Sequence, residues 1–464
     1  MMRSRRAKLV CALGALFGLV MAHGAKAAPA DTTADAVIGQ ANFTSNQINQ
    51  GGANASAASM NEPRGVAVSP VDGRFWVADQ ANNRVISWPS ATAFTNGQAA
   101  DIVLGQADFN SSDPNRGGAN PGQNTLSGPR GVAVDSSGRL YVADTDNKRV
   151  LRFDPPFSNG MNAVQVFGQN GSFTTANQAA MNAATADNIG NAEGVAVDAD
   201  DNLWLADRFL SRVIRYNTPA AGPAPGGDTT ADLVIGQPNL TSGDGNQGGN
   251  PAANTINRAS GCALDADGNL YVCDEFNHRV LLFLAPLTNN KAASRVYGQP
   301  DFTSDTANNG GVSATSMNTP VSVAVDPISG NLFVADSINN RILEFADPRN
   351  DSTADRVYGQ GGSFTTGTPN TGGVSADSIA DVGGVAVDAM GNLYAGDRLN
   401  HRALRFNAPA GGNGGGNGGG NDGGGNGNGE MPCGLCGPGM TMMMPLCIAG
   451  WVAMRRTNRM RGTR

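Results

Sequence analysis

The sequence predicts an all-β fold built from six copies of one unit, and two observations support this prediction. The first is a motif whose clearest copy reads Gly131-Val-Ala-Val-Asp135, a short turn, Leu140-Tyr-Val-Ala-Asp144, and then Asn147-Lys-Arg149-Val-Leu-Arg-Phe153. The second is its nearly constant spacing, since the other copies begin at Gly65, Gly194, Gly261, Ser322 and Gly384. A motif repeated at a fixed period indicates one supersecondary unit whose copies bury their faces against each other.

Each unit contains four predicted strands. The runs Gly-Val-Ala-Val-Asp and Leu-Tyr-Val-Ala-Asp are short, apolar and bounded by turn residues, which is typical of two strands joined by a tight turn. They lack a regular alternation of apolar and polar residues, so we expect both faces to be covered. A third strand runs from Arg149 to Phe153. A fourth apolar piece, ending in Gly-Gln, recurs at Val37–Gln40, Val103–Gln106, Val166–Gln169, Val234–Gln237, Val296–Gln299 and Val357–Gln360. Four antiparallel strands of this kind, arranged radially, form one blade of a β-propeller.

The order of the fourth strands predicts how the ring closes. The piece Val37–Gln40 precedes the first three-strand unit, and nothing equivalent follows the last unit, which ends at Phe406. The N-terminal strand is therefore expected to complete the sixth blade, which removes a free sheet edge and ties the ends of the ring together. The predicted fold is a six-bladed β-propeller of four-stranded antiparallel blades over residues 28–408.

The repeat resembles that of the NHL family of propellers. The shared pattern is Gly-Val-Ala-Val-Asp, Gly-Asn-Leu-Tyr-Val-Ala-Asp and Asn-x-Arg-Val-Leu-x-Phe, and its six copies cover roughly residues 31 to 408. The family includes RNA-binding domains, lyases and surface proteins without an assigned activity. The resemblance therefore implies the fold and does not choose among these functions.

The N-terminus is predicted to be a secretory signal peptide over residues 1–27. Basic residues from Arg3 to Lys8 precede an apolar run from Leu9 to Ala22, and a cleavage site ends at Ala27. An N-terminal membrane anchor is the alternative, which the short apolar span disfavours. The protein is expected to be exported to the cell surface, the outer membrane or the extracellular space.

Two segments follow the propeller. Residues 409–431 are rich in Gly and Asn and are expected to form a flexible linker. Residues 432–464 combine Cys433-Gly-Leu-Cys436, an apolar stretch and five arginines. This order resembles the tripartite sorting signals of bacterial surface proteins, which implies processing near Cys433 or Cys436. A membrane anchor and a zinc site at these cysteines are the alternatives, and membrane contact is expected only through this tail.

Cys262 and Cys273 occupy adjacent strands of the fourth blade, where other blades carry small apolar residues. If Asp265 faces Leu270 across the turn, Cys262 faces Cys273 directly. Directly opposed residues are close enough for a disulfide. We therefore predict a cross-strand disulfide, with two buried free thiols as the alternative.

The charge of the chain disfavours nucleic acid as a partner. The whole chain carries −7. The predicted signal peptide and the tail from Cys433 each hold five basic residues and no acidic one, which leaves about −17 on the exported body. A strongly acidic body is poorly suited to a phosphate backbone. The sequence therefore excludes the RNA-binding branch of the family.

Two charged positions recur in every blade and are expected to serve the blade itself. The aspartates are Asp79, Asp144, Asp207, Asp274, Asp336 and Asp397. The arginines are Arg84, Arg149, Arg212, Arg279, Arg341 and Arg402. Asp can accept hydrogen bonds from turn amides, and Arg can pair with Asp across the turn. The long loops share Asn-x-Gly-Gly in five of six blades. We interpret this motif as a structural turn, with a ligand contact as the alternative.

Departures from the repeat are better markers of a ligand. Blade three has Arg208-Phe209-Leu210 where other blades carry Asn, and Phe209 and Leu210 are expected to form an exposed apolar spot for a partner. The segment from Asp265 to Asn269 resembles the start of a calcium loop, but its glycine is misplaced and the distal Glu is absent. It is therefore predicted to be a hairpin turn.

Binding is the predicted function, and enzymatic activity is the alternative. Related propellers work as lyases or lactonases around a metal, but only His278 and His401 remain after signal removal, which rules out a three-histidine zinc site. No cofactor is predicted, although a calcium site built from Asp and Asn stays open. An exported, acidic propeller on a flexible tether is expected to bind an extracellular protein or glycan.

Overall fold

The computed structural model describes residues 32–176, 183–220 and 227–408. The predicted signal peptide (1–27), linker (409–431) and sorting segment (432–464) lie outside the described residues, together with Cys433 and Cys436. Within the described ranges, no helix is long and apolar enough to cross a membrane.

The strands form six four-stranded antiparallel sheets, each of which is one blade. The chain opens with β1 (Ala36–Ile38). Blade one contains β2 (Pro63–Val68), β3 (Phe75–Asp79), β4 (Arg84–Trp88) and β5 (Ile102–Leu104). Blade two contains β6 (Pro129–Val134), β7 (Leu140–Asp144), β8 (Arg149–Phe153) and β9 (Gln165–Phe167). Blade three contains β10 (Ala192–Val197), β11 (Leu203–Asp207), β12 (Arg212–Tyr216) and β13 (Leu233–Ile235).

The second half of the ring repeats this order. Blade four contains β14 (Ala259–Leu264), β15 (Leu270–Asp274), β16 (Arg279–Phe283) and β17 (Arg295–Tyr297). Blade five contains β18 (Pro320–Val325), β19 (Leu332–Asp336), β20 (Arg341–Phe345) and β21 (Arg356–Tyr358). Blade six contains β22 (Val382–Val387), β23 (Leu393–Asp397) and β24 (Arg402–Phe406), and it takes β1 as its fourth strand.

Short 3-10 helices lie in several of the connections between strands. Between second and third strands they span Gln80–Asn82, Thr145–Asn147, Glu275–Asn277 and Arg398–Asn400. In the long connections they span Ile48–Gly51, Pro114–Gly117, Gln169–Gly171 and Gly245–Gly248. Because strand direction alternates, the turns between second and third strands emerge on the same side of the ring as the long loops between blades. We call this side, formed by those turns and loops, the loop face.

The predicted closure of the ring is confirmed. Strand β1 pairs antiparallel with β24, with Ala36 opposite Arg405 and Ile38 opposite Ala403. On the loop face, Arg402 of blade six also donates to the carbonyl of Phe43, which follows β1. The two ends of the described chain therefore hold the same blade.

The hydrophobic core is divided into six clusters, one at each contact between neighbouring blades. For example, Ile235 of blade three and Phe283 of blade four lie in one cluster, and Val150 and Ile214 join blades two and three in another. The second strands are buried along their whole length. Both faces of each sheet are thus covered, which explains why these strands lack an alternating pattern.

The first residue of the repeat allows the inner strands to meet at the axis. A Cβ added to Gly131 would lie 2.6 Å from the carbonyl oxygen of Glu193, and one added to Gly194 would lie 2.7 Å from that of Ser260. Gly65, Gly261 and Gly384 are equally close to the next inner strand. The glycine is repeated because the blades approach too closely for a side chain there. Only blade five differs, with Ser322.

The direct pairing predicted for the two cysteines is wrong by one residue. The turn is one residue longer than assumed, since Leu264 rather than Asp265 faces Leu270, and the same register puts Cys262 opposite Val272. A shift of one residue turns a side chain to the other face of the sheet. Accordingly, Cys262 packs between blades three and four, Cys273 packs between blades four and five, and both thiols are free and buried. Burial raises the pKa of the Cys262 thiol to about 12.

Candidate functional site

A buried ion pair supports the loop face in every blade. The arginine Nε donates to the aspartate Oδ2 at 2.6 to 3.1 Å in all six pairs, and neither side chain is exposed. In blade four, Arg279 also donates to the carbonyls of Thr255 in the preceding loop and Phe302 in the following loop. Asp274 accepts from the amide of Asn257, and burial raises the pKa of Asp274. The pair joins two loops to one blade, in agreement with its predicted structural role.

The repeated Asn-x-Gly-Gly turn is tied to the same framework. In five blades the loop asparagine pairs by its side-chain amide with the asparagine of the Asp-x-x-Asn-x-Arg turn. The pairs are Asn49–Asn82, Asn115–Asn147, Asn246–Asn277, Asn308–Asn339 and Asn370–Asn400. The turn asparagine also donates to the framework aspartate, at 2.8 Å in each case. These loop residues hold the blade together, so their side chains are not free for a ligand.

Blade three departs from this framework in a different way from that predicted. Leu210 occupies the position of the turn asparagine, and it is 97% buried because it packs against Gly190 and Gly243 of the flanking loops. The prediction that Leu210 is exposed is wrong, since the position points inward in every blade. Phe209 is half-buried at the tip of the turn. The loop partner expected for this blade, at residues 177–180, lies outside the described part of the chain.

The tips of the turns carry large apolar side chains in four consecutive blades. The equivalent positions are Ala81, Asp146, Phe209, Phe276, Ile338 and Leu399. The last three are large and exposed, at 48%, 53% and 45%. We call Phe209, Phe276, Ile338 and Leu399 the apolar arc. Exposed apolar side chains at equivalent positions of neighbouring blades are typical of a surface that contacts another molecule.

Two arginines lie among the phenylalanines of the arc. Arg208 is held by Glu275 of the next blade through two hydrogen bonds of 2.6 and 2.8 Å, which raise the pKa of Arg208. The Arg258 guanidinium lies 4.4 Å from the ring centre of Phe209 and 5.6 Å from that of Phe276. Burial and the nearby Arg208 lower the pKa of Arg258, and its Nη1 has no hydrogen-bond partner among the described residues. Arg258 is thus a partly buried cation packed beside the two rings, without an ion-pair partner of its own among the described residues.

The mouth of the central channel is the second region in which the blades differ. The residue before the repeat glycine points into the channel, and its six versions are Arg64, Arg130, Glu193, Ser260, Val321 and Gly383. Nη1 of Arg130 donates to both carboxylate oxygens of Glu193 at 2.6 Å. Arg64 lies 3.6 Å from the same carboxylate and donates to Gln80 at 2.5 Å. This position was not predicted from the sequence, although it carries five different residue types in six copies of the repeat.

The two histidines act as contacts between blades. Nδ1 of His278 accepts from the amide of Thr319 in blade five, and Nδ1 of His401 accepts from the amide of Glu62 in blade one, both at 3.1 Å. Burial lowers the pKa of both rings. Asn340 occupies the equivalent position of blade five and accepts an amide in the same way. The histidines thus replace an asparagine acceptor and are not brought together.

The acidic segment in blade four is a hairpin turn, as predicted. The amide of Asp265 donates to the carbonyl of Asn269, and the Asp265 carboxylate accepts from the amides of Asp267 and Asn269. Arg349 pairs with Asp265 and Asp267 at 3.1 and 2.5 Å. No group of three His, Cys, Asp or Glu side chains that could hold a metal ion occurs among the residues that the structure describes.

Comparison with known proteins supports the class that this geometry defines. Residues 60–86 and 126–153 match the NHL repeat model, and they correspond to the first three strands of blades one and two. The protein is therefore a six-bladed β-propeller with NHL repeats. No curated protein matches the sequence.

Solved structures share the fold at low identity. Streptogramin B lyase is 12% identical with a TM-score of 0.40, over 76% of this chain and 95% of that one. A protein of unknown function from Bacteroides thetaiotaomicron is 12% identical with a TM-score of 0.49, over 80% and 74%. Virginiamycin B lyase from Staphylococcus aureus is 12% identical with a TM-score of 0.40, over 76% and 96%. Because every TM-score is below 0.5, the fold is assigned from the strand order above and not from these likenesses.

Proposed function

We propose that this propeller is an exported, surface-tethered binding module that contacts an extracellular protein or glycan through its loop face. The observation that carries the proposal is the apolar arc. The buried framework repeats around the ring, whereas the side chains at the tips of its turns differ between blades. The framework side chains beneath the arc are engaged in buried hydrogen bonds. The tips are the residues left to make contact.

The chemistry of the arc favours a protein over a glycan. Aromatic and arginine side chains are enriched at the centres of protein interfaces, where they supply most of the binding energy. Phe209, Phe276 and Arg258 form such a group, in which the Arg258 cation has apolar rings on both sides. A partner with an apolar surface and an acidic side chain would satisfy both features.

Binding by the arc can be tested with the full chain on two immobilised probes, which are native envelope proteins and purified envelope polysaccharide. Saturable binding to one of them is expected, and Phe276→Ala should weaken it by roughly tenfold or more, as for an interface anchor. The matched control is Ile328→Ala. Ile328 is 67% exposed but lies in a turn on the opposite side of the ring. Equal weakening by both variants, or no saturable binding to either probe, would contradict the proposal.

Export and tethering have their own test. The native protein should begin at Ala28 if the signal peptide is removed as proposed, and mass spectrometry of its C-terminus should show processing near Cys433 or Cys436. A native chain that retains both termini would contradict this part alone.

Elemental analysis of residues 28–408 separates binding from the enzymatic alternative. No tightly held metal is expected for a binding module of this kind. One calcium per chain, together with turnover of a lactone or a hydroxyglycine-type peptide, would instead support a calcium-dependent lyase or lactonase. Removal of that calcium should then abolish the turnover.

A further inference from the structure

We propose that the channel mouth is a binding site for a single carboxylate group, held by Arg64 and Arg130. This inference does not depend on the apolar arc or on the nature of its partner. It starts from the six equivalent positions at the mouth, which bring two arginines and one glutamate together from three consecutive blades.

The charges at the mouth are unequal. Arg64 and Arg130 share the one carboxylate of Glu193, so that one positive charge is left over. Glu193 satisfies Arg130 closely, but it lies 3.6 Å from Arg64, which is beyond a hydrogen bond. Of the neighbouring acids, Glu62 and Asp381 pair with Arg398, and Asp146 lies near both Arg130 and Lys148. A ligand carboxylate would supply the close charged partner that Arg64 lacks.

The surroundings show that this charge is poorly compensated. Burial lowers the pKa of Arg64 to about 10, despite the nearby Glu193. The Arg130 Nε is buried and has no hydrogen-bond partner among the described residues. A buried N–H without a partner is costly, and a charged one costs more. A ligand carboxylate that accepts from the partly exposed guanidinium groups of Arg64 and Arg130 would therefore bind favourably.

The mouth also has room for such a group. The side opposite the arginines is formed by Ser260, Val321 and Gly383, which are small, and they leave a cavity of about 70 Å³ in the channel. The Ser260 hydroxyl donates to the carbonyl of Pro320, so it does not compete for the arginines. Glu193 itself shows that the Arg130 guanidinium donates to a carboxylate at 2.6 Å.

Titration calorimetry of the full chain at constant ionic strength tests the site, with acetate as the probe. Arg130→Gln and Arg64→Gln should each weaken acetate binding by roughly tenfold, as expected for one charge-assisted hydrogen bond. Glu193→Gln should strengthen it, because the competing carboxylate is gone. Arg349→Gln, which removes the same charge on the opposite side of the ring, should have no effect.

Acetate binding is expected to weaken in the two arginine variants and to strengthen in Glu193→Gln. A structural ion cluster would instead be damaged by all three changes. If an arginine variant does not fold, the gain expected for Glu193→Gln still decides the question. Failure of wild-type protein to bind acetate, no gain for Glu193→Gln, or stronger binding of phosphate than of acetate would overturn the proposal.

Two further probes identify the source of the carboxylate. A short peptide that ends in a free carboxylate, compared with its amide, tests a protein C-terminus, and glucuronate tests an acidic sugar. The preferred source should bind more tightly than acetate and should be equally sensitive to Arg130→Gln. The apolar arc is unchanged in these variants. A lack of carboxylate binding would therefore leave the loop-face proposal intact, and a lack of effect of Phe276→Ala on partner binding would leave the carboxylate site intact.

Discussion

The buried framework and the channel mouth each occur once in every blade, yet the Asp–Arg pair of the framework is the same in all six whereas the mouth carries five different residue types. Arg279 and its equivalents are unexposed, and each pairs with the aspartate of its own blade. The mouth residues that follow the same loops include two arginines, a glutamate and a glycine. The difference teaches that repetition marks what the fold requires, whereas a change of chemistry at an equivalent position marks what the fold permits. Function is therefore best sought where the copies disagree.

The largest effect is expected when the framework is broken with Arg279→Ala. The change leaves Asp274 buried without its cation, and removal of one partner of a buried ion pair costs about 3–5 kcal/mol of unfolding free energy. Denaturation in guanidinium chloride measures this loss. Arg349→Ala, at a side chain that is 47% exposed, should cost less than about 1 kcal/mol. Similar losses of unfolding free energy for the two variants would contradict a larger contribution of the buried ion pair to stability.

Closing the space between inner strands should have the next largest effect. In Gly131→Ala the new Cβ would lie 2.6 Å from the backbone oxygen of Glu193, and the strain of such overpacking costs about 1–3 kcal/mol. Gly249→Ala is the control, because its nearest neighbour would be 3.6 Å away. The same denaturation experiment compares them, and a tolerated Gly131→Ala would show that the blades can separate at the axis.

The exception in blade three can be copied into blade four with Asn277→Leu. The change removes a 2.8 Å hydrogen bond to Asp274 and leaves Asn246 without its partner, which should cost about 1–3 kcal/mol. Adding Asn246→Ala removes the amide that Asn277→Leu leaves without a partner. The double variant should therefore lose less unfolding free energy than the two single variants together. Strict additivity in a double-mutant cycle would contradict a direct pairing of the two asparagines.

The smallest effect concerns pH and the contact between blades six and one. Burial lowers the pKa of His401 below its ordinary 6.5, so the unfolded chain binds more protons than the folded one, and stability should fall as pH drops through about 6.5. His401→Asn keeps an acceptor, as Asn340 does in blade five, and should reduce this fall. Unfolding free energies measured between about pH 5 and 8 test this. An unchanged pH dependence in the variant would assign the fall to other groups.

Much of the fold could be predicted because it depends on short sequence patterns that recur in every blade. The strand pattern, the number of blades and the closure by the N-terminal strand follow from the order of the copies. The pairing of Asp274 with Arg279 also follows, because these residues are five positions apart across one turn. The side chains at such positions meet whenever the hairpin forms, whatever the rest of the chain does.

Other features depend on atoms that only the tertiary structure brings together. The turn between the first two strands of blade four places Leu264 opposite Leu270, and no local pattern distinguished this register from one shifted by a residue. Leu210 is buried because two loops close over its turn. Arg130 and Glu193 are 63 positions apart in the chain and meet only because the ring closes. The sequence by itself therefore determined the blades and their number, while the closed ring decided which side chains face a common space, since that depends on packing between blades.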